Sequence, residues 1–276
     1  MTTLDNLAPT RTVAAPLASQ ATAVEQARAV AEVAAAVKVA QEFPRDESRA
    51  LHRMREACRQ KALAERAFYS VPRAGRQIEG ASVHLARELA SCWGNIDYGI
   101  RELRRDDDAG QSEMQAWAWD QETNTRSSRS FIVPHARMEG KGASKRRAPL
   151  TDLGDISNNN NSVAARAVRE TIFTVLPTWF TEEAKSLAGQ TLRDGGGATV
   201  AQQTAGLIAN FGSLGVTRAD LERRIGAKAA EWTEDHLAAL RVIGGSITRG
   251  ESTREQEFPP QTVTAGEITE ALGAES

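Results

Sequence analysis

Cysteine is scarce in this 276-residue chain, which contains only two such residues, Cys58 and Cys92. They form neither a CxxC pair nor a cluster with histidine, which argues against a structural zinc site and against a disulfide framework. Isolated cysteines of this kind are typical of small buried apolar side chains. We predict that role for both.

Long apolar runs are missing as well. No stretch approaches the roughly 20 apolar residues that a transmembrane helix requires. The N-terminus has no basic stretch followed by an apolar core, which is the pattern of a signal peptide. We therefore expect a cytoplasmic protein without a membrane partner.

Motifs that carry catalysis or bind a cofactor are also absent. The sequence contains no GxxxxGK[ST], HExxH, GxSxG or GxGxxG, and its four histidines lie apart without metal-ligand spacing. The run Asp106-Asp107-Asp108 is typical of a solvated turn, because contiguous side chains diverge. We expect no catalytic residues, no metal site and no cofactor, which is to say a non-enzyme.

Charge is present but segregated, although the formal net charge is only −2. Residues 123–150 contain seven basic residues and one acid, a local charge of +6, whereas residues 251–276 contain one basic residue and six acids, a local charge of −5. Basic surface is what a single-stranded nucleic acid requires, because its phosphates dominate the affinity. The candidate DNA-binding residues are Arg73, Arg76, Arg126, Arg129, Arg137, Lys141, Lys145, Arg146, Arg147, Arg166 and Arg169.

Hydrophobic periodicity predicts an α+β fold with a small antiparallel sheet and hairpin packed against helices. In the middle strand of this sheet, Trp117 and Trp119 alternate with alanines, so both tryptophans lie on one face. We expect them to pack in the core, and a base-stacking platform is the alternative. The predicted strands are Ile96–Leu103, Ser112–Asp120 and Ser127–Pro134.

Two amphipathic helices accompany these strands. The first has a single polar stripe from His84 to Ser91 and apolar residues elsewhere, which indicates a helix buried on most sides. The second, Ser162–Leu176, carries Arg166 and Arg169 at i and i+3. This spacing places both arginines on one side of the helix.

Composition divides the chain into five segments. A capping box of Thr217 with Asp220 and a cap at Thr233 indicate short helices after a Gly-rich stretch. Within the core, residues 69–78 and 135–161 are predicted as loops.

Because the tail is acidic and the linker Gly-rich, we expect the helical module to be dispensable for DNA binding. The predicted segments are a disordered tail (1–22), an α+β core for DNA binding and oligomerisation (23–188), a linker (189–199), a helical partner-binding module (200–248) and an acidic disordered tail (249–276).

The order of these elements resembles that of the single-strand annealing proteins of phage recombination. The stretch "QIEGASVHLARELASCWGNIDYGI" leads through a Trp/Gly corner into the strands, as in the Rad-fifty-two-like type, and "AARAVRETIFTVLP" is similar to the helix ending in Leu-Pro of RecT proteins. The resemblance covers residues 69–177. The run "SNNNNSV" departs from the charged lead-in of RecT relatives, which leaves a direct role for Arg166 open.

This resemblance to the RecT, Redβ and Rad-fifty-two-like superfamily implies ATP-independent binding and annealing of complementary single strands by a homo-oligomer, either a ring or a helical filament. DNA would lie in a groove between the sheet with its hairpin and the helical layer. By position, Arg126 and Arg129 fall on the hairpin, Arg166 and Arg169 on the packing helix, and the lysines and arginines of residues 141–147 on the intervening loop.

The resemblance also implies a bacterial host cell and a protein partner. The helical module corresponds in place to the partner-binding domain of Redβ-like proteins, for which a phage exonuclease or a host single-strand-binding protein is the expected partner. An alternative hypothesis is a passive single-strand-binding or structural interaction protein without annealing activity. A metal-dependent nuclease is a third.

Overall fold

A computed structural model describes residues 20–73, 76–139, 146–195 and 197–259 of the chain. It has the predicted α+β architecture, in which small antiparallel sheets pack against helices. The strands are β1 (Phe68–Arg73), β2 (Arg76–Ala81), β3 (Ile96–Asp106), β4 (Gln111–Asp120), β5 (Thr125–Pro134), β6 (Ala136–Glu139) and β7 (Arg146–Pro149). The helices are α1 (Gln20–Glu42), α2 (Glu47–Cys58), α3 (Lys61–Ala64), α4 (Val83–Trp93), α5 (Leu153–Val175), α6 (Thr178–Asp194), α7 (Val200–Ser213), α8 (Arg218–Ile225), α9 (Glu234–Thr248) and α10 (Arg254–Glu257).

The chain divides into two compact units, Met1–Pro44 and Arg45–Ser276. The predicted core of residues 23–188 spans this boundary. In the first unit, α1 begins at Gln20, inside the stretch predicted to be disordered. Two of its valines are open to solvent, since Val30 is 70% exposed and Val33 43%, whereas Ala40 near its C-terminal end is buried. Helix α1 therefore presents apolar surface to solvent.

The central sheet of the second unit has the strand order β3-β4-β5, antiparallel throughout. The three predicted strands are confirmed, with β3 and β5 a few residues longer than expected. Met114, Ala116 and Ala118 of β4 are buried, and α5 packs on the sheet. The period-2 alternation of β4 therefore marks one face that meets a helix and one that does not.

Two stretches predicted as loops are structured instead. Residues 69–78 lie mostly in the β1–β2 hairpin, and residues 135–161 contain the β6–β7 hairpin and the first part of α5. Asp152 caps α5 by accepting a hydrogen bond from the backbone N–H of Asp155. Asparagine has modest helix propensity, so the Asn158–Asn161 run did not predict a helix. Tertiary packing stabilises the helix there. Lys141 and Lys145 lie outside the described residues.

Helix α4 has the burial that its stripe predicts. Ser82 caps it by accepting hydrogen bonds from the backbone N–H groups of His84 and Leu85. Leu85 and Leu89 are fully buried in the core that α2, α4, α5 and α6 build against the sheet. Helix α4 therefore holds the β1–β2 hairpin in a fixed position relative to the central sheet.

The two cysteines belong to this core, as predicted. Both thiols are free and buried, and burial raises the pKa of Cys58 to about 12 and that of Cys92 to about 11. Because the thiolate is the reactive form, both side chains are protonated near neutral pH and serve as apolar packing.

The predicted helical module is present as a bundle with its own core. The capping box of Thr217 with Asp220 is confirmed, and Thr233 caps α9 as predicted. Its buried apolar residues come from α7, α8, α9 and the segment between α8 and α9. They are Leu207, Phe211, Val216, Leu221, Ala229, Trp232, Leu237, Leu240 and Ile243.

Both boundaries of the module differ from the prediction. Helix α6 continues to Asp194, well into the predicted linker, because Leu192 is buried. Residues 249–259, predicted to be disordered, include α10, and Phe258 packs edge-on against Phe211 with ring centroids 5.7 Å apart. A helix this short depends on tertiary contacts such as that of Phe258 with Phe211, which the composition of the segment does not predict.

The bundle is packed on the β1–β2 hairpin. The buried backbone N–H of Ser70 donates to Ser246 Oγ at 3.0 Å, and Arg249 Nη2 donates to the carbonyl oxygen of Phe68 at 2.9 Å. A chain ending at Ala188 would be cut within α6 and would lack both of these hydrogen bonds. The structure therefore does not support the prediction that this module is dispensable for DNA binding.

Candidate nucleic-acid interface

A groove of 590 Å³ lies between the β1–β2 hairpin, α5 and the turn that follows α9. It combines arginines, one tyrosine and the N-terminus of α4, and Glu251 is its one acidic lining residue among those the structure describes. The lining residues are Tyr69, Val71, Pro72, Arg73, Ile78, Ser82, Val83, Ser162, Ala165, Arg166, Arg169, Arg249, Gly250, Glu251 and Gln256.

Two of the groove arginines are free to meet a ligand. Arg73 and Arg166 are exposed, and within the described part of the chain neither has a hydrogen-bond or ion-pair partner. They approach the groove from different elements, β1 and α5. Arg76, the cross-strand neighbour of Arg73, does not line the groove. The hairpin thus contributes one of its two predicted arginines.

Arg169 is held in place. It lines the groove one helical turn from Arg166, as their spacing predicted. Its guanidinium lies 4.7 Å from the centroid of the Tyr69 ring, and its Nη2 donates to Glu170 Oε1 at 2.7 Å. The side chain is only 16% exposed. Arg169 therefore supplies positive charge from a fixed position, while its hydrogen bonds are already partly used.

Arg249 is the groove residue that the sequence did not reveal. It stands at the start of the predicted acidic tail, next to Glu251, and composition gave no reason to single it out. In the structure its Nη2 donates to the carbonyl oxygen of Phe68 and to Glu251 Oε2, each at 2.9 Å. Arg249 thus links the turn after α9 to the β1–β2 hairpin and neutralises the charge of Glu251.

The N-terminus of α4 adds to the positive potential. Ser82 and Val83 line the groove at the start of this 11-residue helix, and the partial positive charge of a helix N-terminus favours anions. Together with the arginines, this end of α4 makes the groove suitable for phosphate groups.

The remaining candidate residues lie elsewhere. Arg126 and Arg129 lie on different faces of the sheet, because Arg126 pairs with Trp119 and Arg129 pairs with Ala116 on the other face. Arg137 is on β6, where its Nε donates to Glu139 Oε1 at 3.0 Å. Arg146 and Arg147 are exposed on β7. None of these side chains lines the groove, so the candidate residues do not form one continuous basic surface.

Trp117 and Trp119 share one face, as predicted, but it is the face opposite the helices. Neither belongs to the main core. The Trp117 ring lies across Gly99, where a Cβ would stand 2.6 Å from it, and Arg101 lies 4.7 Å from its centroid. Trp119 is buried on this outer side, with the Arg126 guanidinium 4.1 Å from its centroid. The prediction of core packing is therefore wrong for Trp117.

A buried polar network connects the sheet to α5. Ser112 Oγ lies 2.8 Å from His135 Nε2, and His135 Nδ1 lies 3.9 Å from Asp107 Oδ1, an order of groups seen in serine nucleophile triads. However, Ser112 is fully buried and its hydroxyl donates to Glu102 Oε1 at 2.5 Å. Because the proton is already given to Glu102, this arrangement is suited to holding the fold and not to nucleophilic attack.

Within the described ranges, no group of three or more His, Cys, Asp or Glu side chains is placed to hold a metal ion. None of the helices there combines the length and the apolar character that crossing a membrane requires. Comparison of the chain with protein-family models, with curated proteins and with solved structures found no match.

Proposed function

We propose that this protein binds single-stranded DNA in the groove between the β1–β2 hairpin and α5, and that it anneals complementary strands without ATP as a homo-oligomer. The observation that carries the proposal is the convergence of Arg73, Arg166, Arg169 and Arg249 from three parts of the chain, with one acid that is already paired. Phosphates supply most of the affinity of such sites, and the helix N-terminus at Val83 adds to it.

The annealing step is supported by the resemblance of residues 69–177 to phage annealing proteins. Helix α4, the central sheet with its β4–β5 hairpin, and α5 follow in the order which that resemblance implies. The groove, however, lies between the β1–β2 hairpin and the helix that bears Arg166 and Arg169, and not beside the β4–β5 hairpin that carries Arg126 and Arg129. The cellular setting that we propose is homologous recombination of a phage type in the cytoplasm of a bacterial host.

The test of annealing uses two complementary, labelled oligonucleotides. We expect the wild-type protein to accelerate their pairing in the absence of ATP. Binding of each strand without acceleration would instead support the passive single-strand-binding alternative. Strand cleavage on addition of magnesium, followed on a gel, would support a nuclease and contradict the proposal.

Self-assembly is the second part of the proposal, and α1 is the element that supports it. Its exposed valines, and the edges of β3 and β5 that pair with no further strand among the described residues, leave surface that a second copy could cover. We expect V30E/V33E to shift the oligomer towards monomers by sedimentation velocity. The matched control is A31E/A35E, which adds the same charge to exposed alanines on another side of α1. A wild-type monomer, with and without oligonucleotide, would contradict self-assembly.

We also propose that the α7–α9 bundle serves a protein partner, of which a phage exonuclease and a host single-strand-binding protein are the expected kinds. Because the bundle also holds the hairpin through Ser246 and Arg249, a test by truncation would disturb the groove. Surface substitutions on α8, scored for binding of a purified single-strand-binding protein and for unchanged DNA affinity, separate the two roles.

A further inference from the structure

A second pocket, of 180 Å³, lies between β3 and the first half of α5. It uses a different side of α5 from the basic groove, since the residues that line the two sites do not overlap. Three of its side chains come from the Ser157–Asn161 run. The lining residues are Ile100, Arg101, Glu102, Arg105, Met114, Ile156, Ser157, Asn160 and Asn161.

One lining side chain has an unmet hydrogen-bonding need. Asn160 is 5% exposed, and its Oδ1 is buried without a hydrogen-bond partner among the described residues. The orientation of this amide is fixed, because Ser112 Oγ gives its single proton to Glu102 and must accept from Asn160 Nδ2, at 3.1 Å. The network therefore leaves the Asn160 oxygen as an acceptor that lacks a donor, which is costly in a buried place.

A second acceptor lies in the same pocket. Glu102 lines it, and the carboxylate oxygen that does not bind Ser112 makes no hydrogen bond within the described chain. Ile100, Met114 and Ile156 supply apolar walls. The pocket thus offers two acceptors, one on the exposed Glu102 and one on the buried Asn160, to a flat ring whose edge carries an N–H₂ group.

The volume of the pocket limits the size of the ring that it can hold. An apolar cavity of about 150 Å³ accepts benzene, so 180 Å³ admits a single six-membered ring. Among the pyrimidine bases, cytosine has the N4 amino group, which carboxylates accept from, whereas thymine presents the O4 acceptor at the same position. Thymine would place its oxygen against the oxygens of Asn160 and Glu102.

We propose that this pocket takes a cytosine base of a bound single strand, with its N4 amino group donating to Asn160 Oδ1 and Glu102. The inference rests on the proposed function, since the base arrives as part of a strand held by phosphate contacts. Arg105 also lines the pocket and, although its Nε donates to Asp107 Oδ1 at 2.7 Å, adds positive charge there for an adjoining phosphate. The site gives the protein a base preference that the arginine groove alone does not supply.

The experiment compares the affinities of oligo-dC and oligo-dT of equal length by fluorescence anisotropy. We expect wild-type protein to bind oligo-dC about tenfold more tightly, since one hydrogen-bonded edge is replaced by a repulsive one. Filling the pocket with N161W should reduce that ratio to about one. The matched control is N158W, because Asn158 is exposed on the same helix and does not line the pocket; it should keep the preference.

A direct measurement separates this proposal from the proposed function. Equilibrium dialysis of wild-type protein with dCMP and with dTMP reports the pocket without requiring the groove. Binding of dCMP that N161W abolishes would support the pocket even if oligonucleotides were not bound, in which case the proposed function would fall. Equal binding of oligo-dC and oligo-dT together with no dCMP binding would overturn the pocket proposal.

Discussion

Replacing Arg45 with methionine is expected to lower the free energy of unfolding by about 3–5 kcal/mol, since it leaves a buried carboxylate without its partner. The side chains of Arg45 and Asp120 are 6% and 3% exposed, and Arg45 Nη2 lies 2.9 Å from Asp120 Oδ1. Arg45 also donates to the carbonyl oxygens of Trp93 and Gly94, at 2.9 and 3.0 Å. One arginine thus joins the start of the second unit to the end of α4 and to β4.

The control for this substitution is R55M. Arg55 forms an ion pair with Glu183 at 2.6 Å, but the two side chains are 44% and 32% exposed. Exposed pairs contribute about 0–1 kcal/mol, so R55M should cost little. Chemical denaturation of both variants measures the difference. A loss in R45M no larger than that in R55M would show that the buried pair contributes no more than a surface one.

The largest expected effect on function comes from the two free arginines of the groove. R73A/R166A should weaken single-strand binding roughly a hundredfold or more, because each charge-assisted hydrogen bond contributes about 1.5–3 kcal/mol. The slope of log affinity against log salt should also flatten by about 0.7 for each phosphate that the variant no longer neutralises. Thermal stability should be nearly unchanged, since both side chains are exposed and lack partners in the described chain.

The same double substitution at Arg146 and Arg147 serves as the comparison. These residues lie on β7, outside the groove, in the region that the charge distribution singled out. We expect R146A/R147A to change the affinity and the salt slope much less than R73A/R166A does. A larger effect from the β7 pair would place the strand on the β6–β7 hairpin and contradict the groove proposal.

Local patterns in the sequence determined much of the secondary structure. The alternation in β4, the polar stripe of α4 and the capping box at Thr217 each involve residues within a few positions of one another. Such patterns sort the residues of an element onto two sides, because helices and strands each have a fixed side-chain period. They also placed Arg166 and Arg169 on one side of a helix, and this is confirmed.

Only the tertiary structure decided what covers each face and which distant residues meet. Alternation placed Trp117 and Trp119 together but could not say that their face is the outer one, since both faces of a short sheet give the same period. Arg249 reaches a groove built mostly from residues 69–169. Phe258, at the end of α10, packs on the distant Phe211. Contacts between residues far apart in sequence depend on how elements pack, and composition along the chain does not encode that packing.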